Sequence, residues 1–360
     1  MRAVRFHGRG DIRIDQIDEP VCQNGQVKIR PSFVGICGSD LHEYLSGPST
    51  VPETPHPITN ATLPVTLGHE FSGTIEEVGA DVTRVKVGDR VAVKPNLYDG
   101  TCARCVQGRV NCCRNLGFIG YSSNAGGLSD HVVVDEERAR LLPEEIPLDI
   151  GALVEPLTVA WHAVTRSPVA TARTALVVGG GPIGLAVVQV LQAHGVESIV
   201  VAEVSAQRRR FAATLGATDV LDPRAEDIEA KVRSLSGDAG ADIAFECSGV
   251  QAGFDSALKG VRARGTVTVV SLWEEKPVID AWELVGSEKH IIGSAIFDGD
   301  DFKAVIDAIA SGMWAVLPWR LKPQSMITSK IRMEEIVEKG FEALINERDK
   351  HVKILIDISA

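Results

Sequence analysis

The feature that most constrains this chain is a run of glycines set between two apolar segments. Thr174-Ala175-Leu176-Val177-Val178 leads directly into Gly179-Gly180-Gly181-Pro182-Ile183-Gly184, and no charged residue follows until after Ala193. An apolar run bounded by glycine reads as a buried strand, and the segment after it predicts a helix over 183–194. Taken whole, 174–193 lacks charge and has roughly the length of a membrane span. Its glycines and proline punctuate it into strand, turn and helix, so the membrane reading is rejected.

In that context Gly179-x-Gly181-x-x-Gly184 is a dinucleotide fingerprint. Gly179 permits the tight turn, Gly181 lets backbone approach a pyrophosphate, and Gly184 lets helix and strand pack closely. Pro182 and Ile183 open the helix whose N-terminus attracts the anion. Glu203 follows Gly184 by 19 residues, at the end of the next expected strand, 198–203. Its carboxylate there accepts hydrogen bonds from both adenosine ribose hydroxyls and repels a 2′-phosphate, which favours NAD over NADP. Arg208 is read as a neighbour of the ribose or adenine. A glycine-rich turn without a ligand is the competing reading, and the acid in place argues against it.

The alternation continues with a helix over 206–215 and strands over 241–246 and 266–270, which means a parallel, doubly wound sheet. The style is different before about Leu153. Segments such as 27–30, and 84–87 before the turn Gly88-Asp89, alternate as short strands among frequent Gly and Pro. Long loops over 47–64 and 96–127 are where function is expected. After 296 the pattern is mixed, with helices over 302–311 and 333–346 and a last strand over 352–356. A chain of 360 residues exceeds one ordinary core. The expected division is a β-rich domain over 1–155, a dinucleotide-binding domain over 156–296, and a return to the first domain over 297–360. The fold class is α/β.

The formal net charge is −11 and basic residues cluster only at Arg208, Arg209 and Arg210, so no nucleic-acid partner is expected. Met1-Arg2-Ala3-Val4-Arg5-Phe6 does not open an apolar run, which reads as no secretory signal and a cytoplasmic protein. Of seven cysteines, four lie between Cys102 and Cys113. In a reducing compartment such a cluster binds metal more often than it forms disulfides.

Two segments of the first domain offer further ligands: Gly35-Ile36-Cys37-Gly38-Ser39-Asp40-Leu41-His42 and Gly68-His69-Glu70-Phe71-Ser72-Gly73. Thiolate, imidazole and carboxylate form a typical catalytic zinc set with one position open. Glu155, in Leu153-Val154-Glu155-Pro156-Leu157, is another candidate. At these residues the chain resembles the zinc-containing medium-chain dehydrogenase/reductase family over essentially its whole length. The pattern Gly68-His69-Glu70 with Gly73, Gly79 and Val82 carries the resemblance. It implies a GroES-like β domain holding zinc and a Rossmann domain holding NAD. It implies that Cys37 and His69 ligate a catalytic zinc, with Glu70 and Glu155 alternating or sharing the remaining protein position. It implies a proton relay at Ser39 and His42, because the proton an alcohol releases must leave a closed site. It also implies a structural zinc at Asp99, Cys102, Cys105 and Cys113, where the family's first ligand is Cys and this chain has Asp99. Aspartate oxygen can ligate zinc. Substitution by Cys112, or a metal-free loop, is the alternative.

The text around Asp40–Pro48 and 56–73, with Val154-Glu155-Pro156-Leu157-Thr158, is similar to the (R,R)-2,3-butanediol dehydrogenase branch, which interconverts vicinal diols, acetoin and diacetyl. The expected substrate is therefore a small secondary alcohol or ketone, a vicinal diol or hydroxyketone in particular. Sorbitol-type and threonine-type dehydrogenases share the scaffold. A catalytically silent dinucleotide-binding protein is the reading from another class, and the presence of Cys37, His69, Glu70 and Glu155 argues against it. Folds of this kind pair sheets edge to edge, so a homodimer or homotetramer is expected.

Overall fold

The computed structural model describes residues 1–314 and 321–360. The chain forms two compact units. One comprises Met1–Glu155, Asp298–Ile306 and Ile327–Ala360, and the other Pro156–Phe297 and Asp307–Met326.

The second unit is built on six parallel strands. In chain order these are Thr174–Val178, Ser198–Ala202, Asp219–Leu221, Ala241–Glu246, Val261–Val269 and His290–Gly293. Counted that way, their spatial order is 3-2-1-4-5-6. The order reverses beside the first strand, and in such sheets ligands bind at the carboxyl ends of the strands next to that reversal. Thr174–Val178 is buried throughout, as a central strand covered on both faces must be. Helices Pro182–Ala193, Ala206–Leu215, Ile228–Leu235 and Gln251–Gly260 cross over between strands. Leu176, Val200, Ala244, Phe254 and Leu258 belong to the core between sheet and helices.

The first unit is mostly antiparallel. Strand Gln26–Gly35 pairs with Glu70–Val78 on one side and with Lys353–Asp357 and Val132–Asp135 on the other. Arg90–Val93 and Ala139–Leu141 extend the sheet beyond Glu70–Val78. Phe6, Ile29, Phe71, Ile75, Phe341 and Ile354 fill its core. The register places Gly35 opposite both Glu70 and Leu355. Residues distant in sequence therefore converge where this central strand ends.

Two expectations need correction. Residues 84–87 form no strand. Their backbone is held by side chains instead: the N–H groups of Thr83 and Arg84 donate to Glu136, and that of Lys86 donates to Asp89 at 2.9 Å. Only Val85 of the alternating pair turns inward, while Val87 is exposed. Residues 333–346 are helical but not one α-helix. A 3₁₀ turn Met333–Glu335 leads into a π segment Ile336–Phe341 and a short α-helix Glu342–Asn346. The wider winding buries Ile336, Gly340 and Phe341 together, where a regular 3.6-residue period would turn some of them outward. Among the described residues, no helix is long and apolar enough to cross a membrane.

Candidate active site

The chain leaves strand Gln26–Gly35 and turns at once into helix Gly38–Ser46, with Cys37 as its N-cap. The Cys37 N–H donates to Asp40 Oδ2 at 2.8 Å. An acid in the first turn also suits the positive end of the helix dipole. Glu70 opens the neighbouring strand opposite Gly35, and His69 directly precedes it. As a result a sulfur of Cys37, a ring nitrogen of His69 and a carboxylate oxygen of Glu70 all lie within 4.8 Å of one another.

His69 and Glu70 are buried, Cys37 is half-buried, and the group is crowded with acids. Burial, then the charge of Glu70, push the Cys37 thiol well above its ordinary range. Burial, then Glu70, act the same way on Glu155, which is 5% exposed in the first turn of helix Val154–Arg166. Burial also raises Asp40, which His69 opposes. Lys353 is the cation set among them. Its ammonium donates to both Glu70 oxygens, at 2.8 and 2.7 Å, and to the Ile36 carbonyl at 3.1 Å. A Cβ on Gly35 would run into the Glu70 carboxylate, so only glycine leaves room for the pair.

A thiol, an imidazole and several carboxylates packed together out of water require compensating positive charge. A divalent cation with borderline-soft preferences supplies it, and cysteine, histidine and glutamate are zinc's usual donors. His69 Nδ1 faces Asp40 Oδ1 at 3.7 Å, and neither atom has a hydrogen-bond partner. A carboxylate behind a histidine is the arrangement that orients a metal-ligating imidazole. The residues therefore fit zinc. The Tyr121 ring stacks at 4.7 Å from His69, centroid to centroid. Burial, then the charges of Asp40 and Cys37, raise its phenol, while the Ser39 hydroxyl beside it acts the other way. Ser39 and His42 are three residues apart on helix Gly38–Ser46, hence on one face, and both are half-buried.

The second cluster also assembles. Ligand atoms of Asp99, Cys102, Cys105 and Cys113 lie within 4.8 Å of one another. Asp99 Oδ1 accepts the N–H groups of Thr101 and Cys102, at 2.8 and 2.9 Å, and Oδ2 accepts Asn115 Nδ2 at 3.0 Å. The backbone N–H groups of Asp99 and Asn115 point at the Cys113 sulfur, at 3.5 and 3.4 Å. Backbone donation from Arg114, then Cys105, lowers the Cys102 thiol to about 7. N–H groups aimed at sulfur favour thiolate, the form that binds metal. Cys112 is exposed and stands outside the group.

In the second unit each fingerprint glycine has a physical reason. Gly179 has φ of +99°, and a Cβ there would press on the backbone of Cys247 and Ser248. A Cβ on Gly184 would strike the Gly179 carbonyl. Beside Gly181 there is open space, bounded by Arg208 Nη1 at 4.0 Å from where a Cβ would sit. Pro182 is the first residue of helix Pro182–Ala193. Glu203 accepts the Gly180 N–H at 2.7 Å and the Ser205 N–H at 2.7 Å. The acid thus tethers the turn as well as facing it.

Two residues of this geometry escaped the sequence reading. Asp40 sits three residues after Cys37, the spacing of a reciprocal cap, which was a usable signal. Lys353 is the one charge inside the apolar run Val352-Lys353-Ile354-Leu355-Ile356, which marks an inward cation in want of an acid.

Residues 23–144 match the alcohol dehydrogenase GroES-like domain, and residues 182–311 match the zinc-binding dehydrogenase domain. The chain belongs to the zinc-binding alcohol dehydrogenase family. It is 41% identical over 357 residues to an (R,R)-butanediol dehydrogenase of Bacillus subtilis (strain 168), covering 99% of each chain. It is 38% identical to an (R,R)-butanediol dehydrogenase of Saccharomyces cerevisiae, covering 99% of this chain and 98% of that one. The crystal structure of 2R,3R-butanediol dehydrogenase from Bacillus subtilis superposes with a TM-score of 0.92 at 40% identity, over 99% of both chains. The chain is accordingly a zinc-dependent oxidoreductase acting on the CH–OH group of small alcohols and, in reverse, on the carbonyl of the matching ketones.

Proposed function

We propose that this dehydrogenase interconverts a small vicinal diol and its hydroxyketone, of the 2,3-butanediol and acetoin type, using NAD. The observation that carries this reading is the convergent group of Cys37, His69 and Glu70 in a chain whose full-length relatives bear the name butanediol dehydrogenase. Cys37, His69 and one of the carboxylates Glu70 and Glu155 would hold zinc. Asp99, Cys102, Cys105 and Cys113 would hold a second, structural zinc that staples a long loop. When bound, the catalytic zinc lowers the pKa of a substrate hydroxyl and NAD accepts the hydride.

The chain's own groups supply position and proton transfer. Asp40 orients the His69 ring. Ser39 Oγ would take the hydroxyl proton and the His42 imidazole would release it to solvent. Gly179, Gly181, Pro182, Ile183 and Gly184 cradle the pyrophosphate at a helix N-terminus. Glu203 receives the adenosine ribose, with Arg208 as its neighbour. A dense set of carboxylates near the metal suits a second substrate oxygen. The working form is a homodimer or homotetramer in the cytoplasm. Strand His290–Gly293, at the edge of the sheet, and the exposed apolar residues Leu272, Val278, Trp282 and Val285 support the association.

Initial rates on 2,3-butanediol, sorbitol and threonine, each with NAD and with NADP, test the assignment. The diol with NAD is expected to give the highest kcat/KM. Faster turnover of sorbitol or threonine would overturn the substrate, and a preference for NADP would overturn the role given to Glu203.

A further inference from the structure

Away from the hydride site, one face of the first unit gathers cations that the reaction does not use. Strands Arg90–Val93 and Ala139–Leu141 run antiparallel with Arg140 opposite Ala92. One step further along, the Lys94 N–H donates to the Arg138 carbonyl at 2.9 Å. Directly opposed residues share a face of the sheet, and residues two apart return to it. Lys94, Arg138 and Arg140 therefore stand on one face, with the small Ala92 opposite Arg140.

Burial makes this convergence costly. Lys94 is 7% exposed and Arg138 is 6% exposed. Burial, then the like charges of Arg140 and Arg138, push the Lys94 ammonium down. Some compensation is present. Arg138 pairs with Glu137 at 2.6 Å and lies 4.8 Å from the Tyr98 ring centre. The Lys94 ammonium donates to the Gly299 carbonyl at 3.3 Å and feels Asp298 and Asp301. What stays unmet is the hydrogen bonding of the two arginines. The Nε atoms of Arg138 and Arg140 are both buried and lack a hydrogen-bond partner. Among the described residues, no ion pair holds the Arg140 guanidinium. Buried donors without acceptors are rare in native proteins and call for an occupant.

We propose that Lys94, Arg138 and Arg140 form a binding site for a small oxyanion, a phosphate or carboxylate group. The planar guanidinium fork matches the oxygens of either group, and lysine adds a point charge beside it. One oxyanion would satisfy both orphaned Nε–H groups and offset three converging positive charges. The site is independent of the hydride chemistry, so its failure leaves the diol assignment untouched.

The test uses the full-length, zinc-loaded enzyme saturated with NADH, which fills the glycine turn, the other anion-binding feature of the chain. Inorganic phosphate is titrated at constant ionic strength against sodium chloride, followed by calorimetry and by thermal unfolding. The wild type is expected to bind saturably and to gain Tm. Arg140→Met is expected to bind at least about tenfold more weakly, the order expected for losing a bidentate charged contact, while turnover is unchanged. Without phosphate its Tm is expected to equal or exceed that of the wild type, because a cation without a partner has left the company of two others. Arg140→Lys, which keeps charge but loses the fork, is expected to fall between. Acetate binding with the same dependence on Arg140 assigns a carboxylate, and binding of phosphate alone assigns a phosphate. No saturable response in the wild type, an equal response in Arg140→Met, or a destabilised Arg140→Met without phosphate would each overturn the proposal.

Discussion

Asp40 concentrates two roles in one carboxylate, and they can be separated. Its Oδ2 caps helix Gly38–Ser46 through the Cys37 N–H, while its Oδ1 faces the His69 ring. Asn keeps an acceptor for the cap but removes the charge behind the imidazole. Asp40→Asn is therefore expected to fold normally and to lose about 10–100-fold in metal affinity, the usual cost of removing a metal ligand's supporting group. Competition with a chelator measures it, and unchanged affinity would show that Asp40 does not orient His69. Glu203 is a second case of shared duty, since it tethers Gly180 and Ser205 while facing the turn. Glu203→Ala removes both the ribose acceptor and the repulsion towards a 2′-phosphate. The ratio of kcat/KM for NADP to that for NAD is expected to rise at least about tenfold, which corresponds to about 1.4 kcal/mol. A flat ratio would remove Glu203 from cofactor selection. Cys37, His69, Glu70 and Glu203 were readable in the sequence because each sits in a short motif whose chemistry is explicit. Lys353 was not readable as their partner, because 283 residues separate it from Glu70 and only the sheet register joins them.

At the scale of elements, the parallel sheet was the most legible part of the chain. Strand Ala241–Glu246 and helix Ala206–Leu215 fall where their patterns place them, the strand because burial on both faces forces an apolar run and the helix because Ser205 caps its start and Gly216 its end. The antiparallel unit was less so. Its short strands bury one face, and an alternating tetrad such as 84–87 serves equally well in a loop pinned by Glu136 and Asp89. One carboxylate shows how strand ends are secured. Asp242 accepts the N–H groups of Arg173 and Thr174, at 2.8 and 3.0 Å, and the Arg262 Nε at 2.8 Å. Burial opposes its charge, but these donors outweigh burial and lower its pKa. The folded pKa thus lies below the unfolded value of about 3.9. The stabilisation is fully present above that value and is lost as pH falls through the folded pKa. Asp242→Asn is expected to cost about 1–3 kcal/mol at neutral pH, by weakening donors buried at the strand ends. The deficit relative to wild type should shrink below pH 4. Urea unfolding at pH 7 and pH 3.5 checks this, and a deficit that does not depend on pH would show that the charge of Asp242 is not what stabilises the strand ends.

The whole molecule divides its ligand chemistry between its two units. Every candidate metal ligand lies in the unit that contains Met1–Glu155, and the glycine turn with Glu203 lies in Pro156–Phe297. Metal and dinucleotide should therefore protect different backbone amides, since a ligand that binds only the folded state stabilises the region it holds by mass action. Removal of zinc by a chelator is expected to raise hydrogen exchange most over 99–115, where Asp99, Cys102 and Cys113 gather backbone N–H groups around oxygen and sulfur. Those contacts organise a segment with little regular structure of its own, a four-residue helix Ala103–Val106 and a 3₁₀ turn Val110–Cys112. Such a segment would depend on a bound metal to stay ordered. Addition of NADH is expected to slow exchange over 179–184 and 203–208 and to leave 99–115 unchanged. A zinc count of two per chain, falling to one in Cys37→Ser with 99–115 still protected, would place one metal in each cluster. If 99–115 exchanged equally with and without chelator, Asp99 would be a capping residue of a metal-free loop, and the departure from four cysteines would mark the loss of that site.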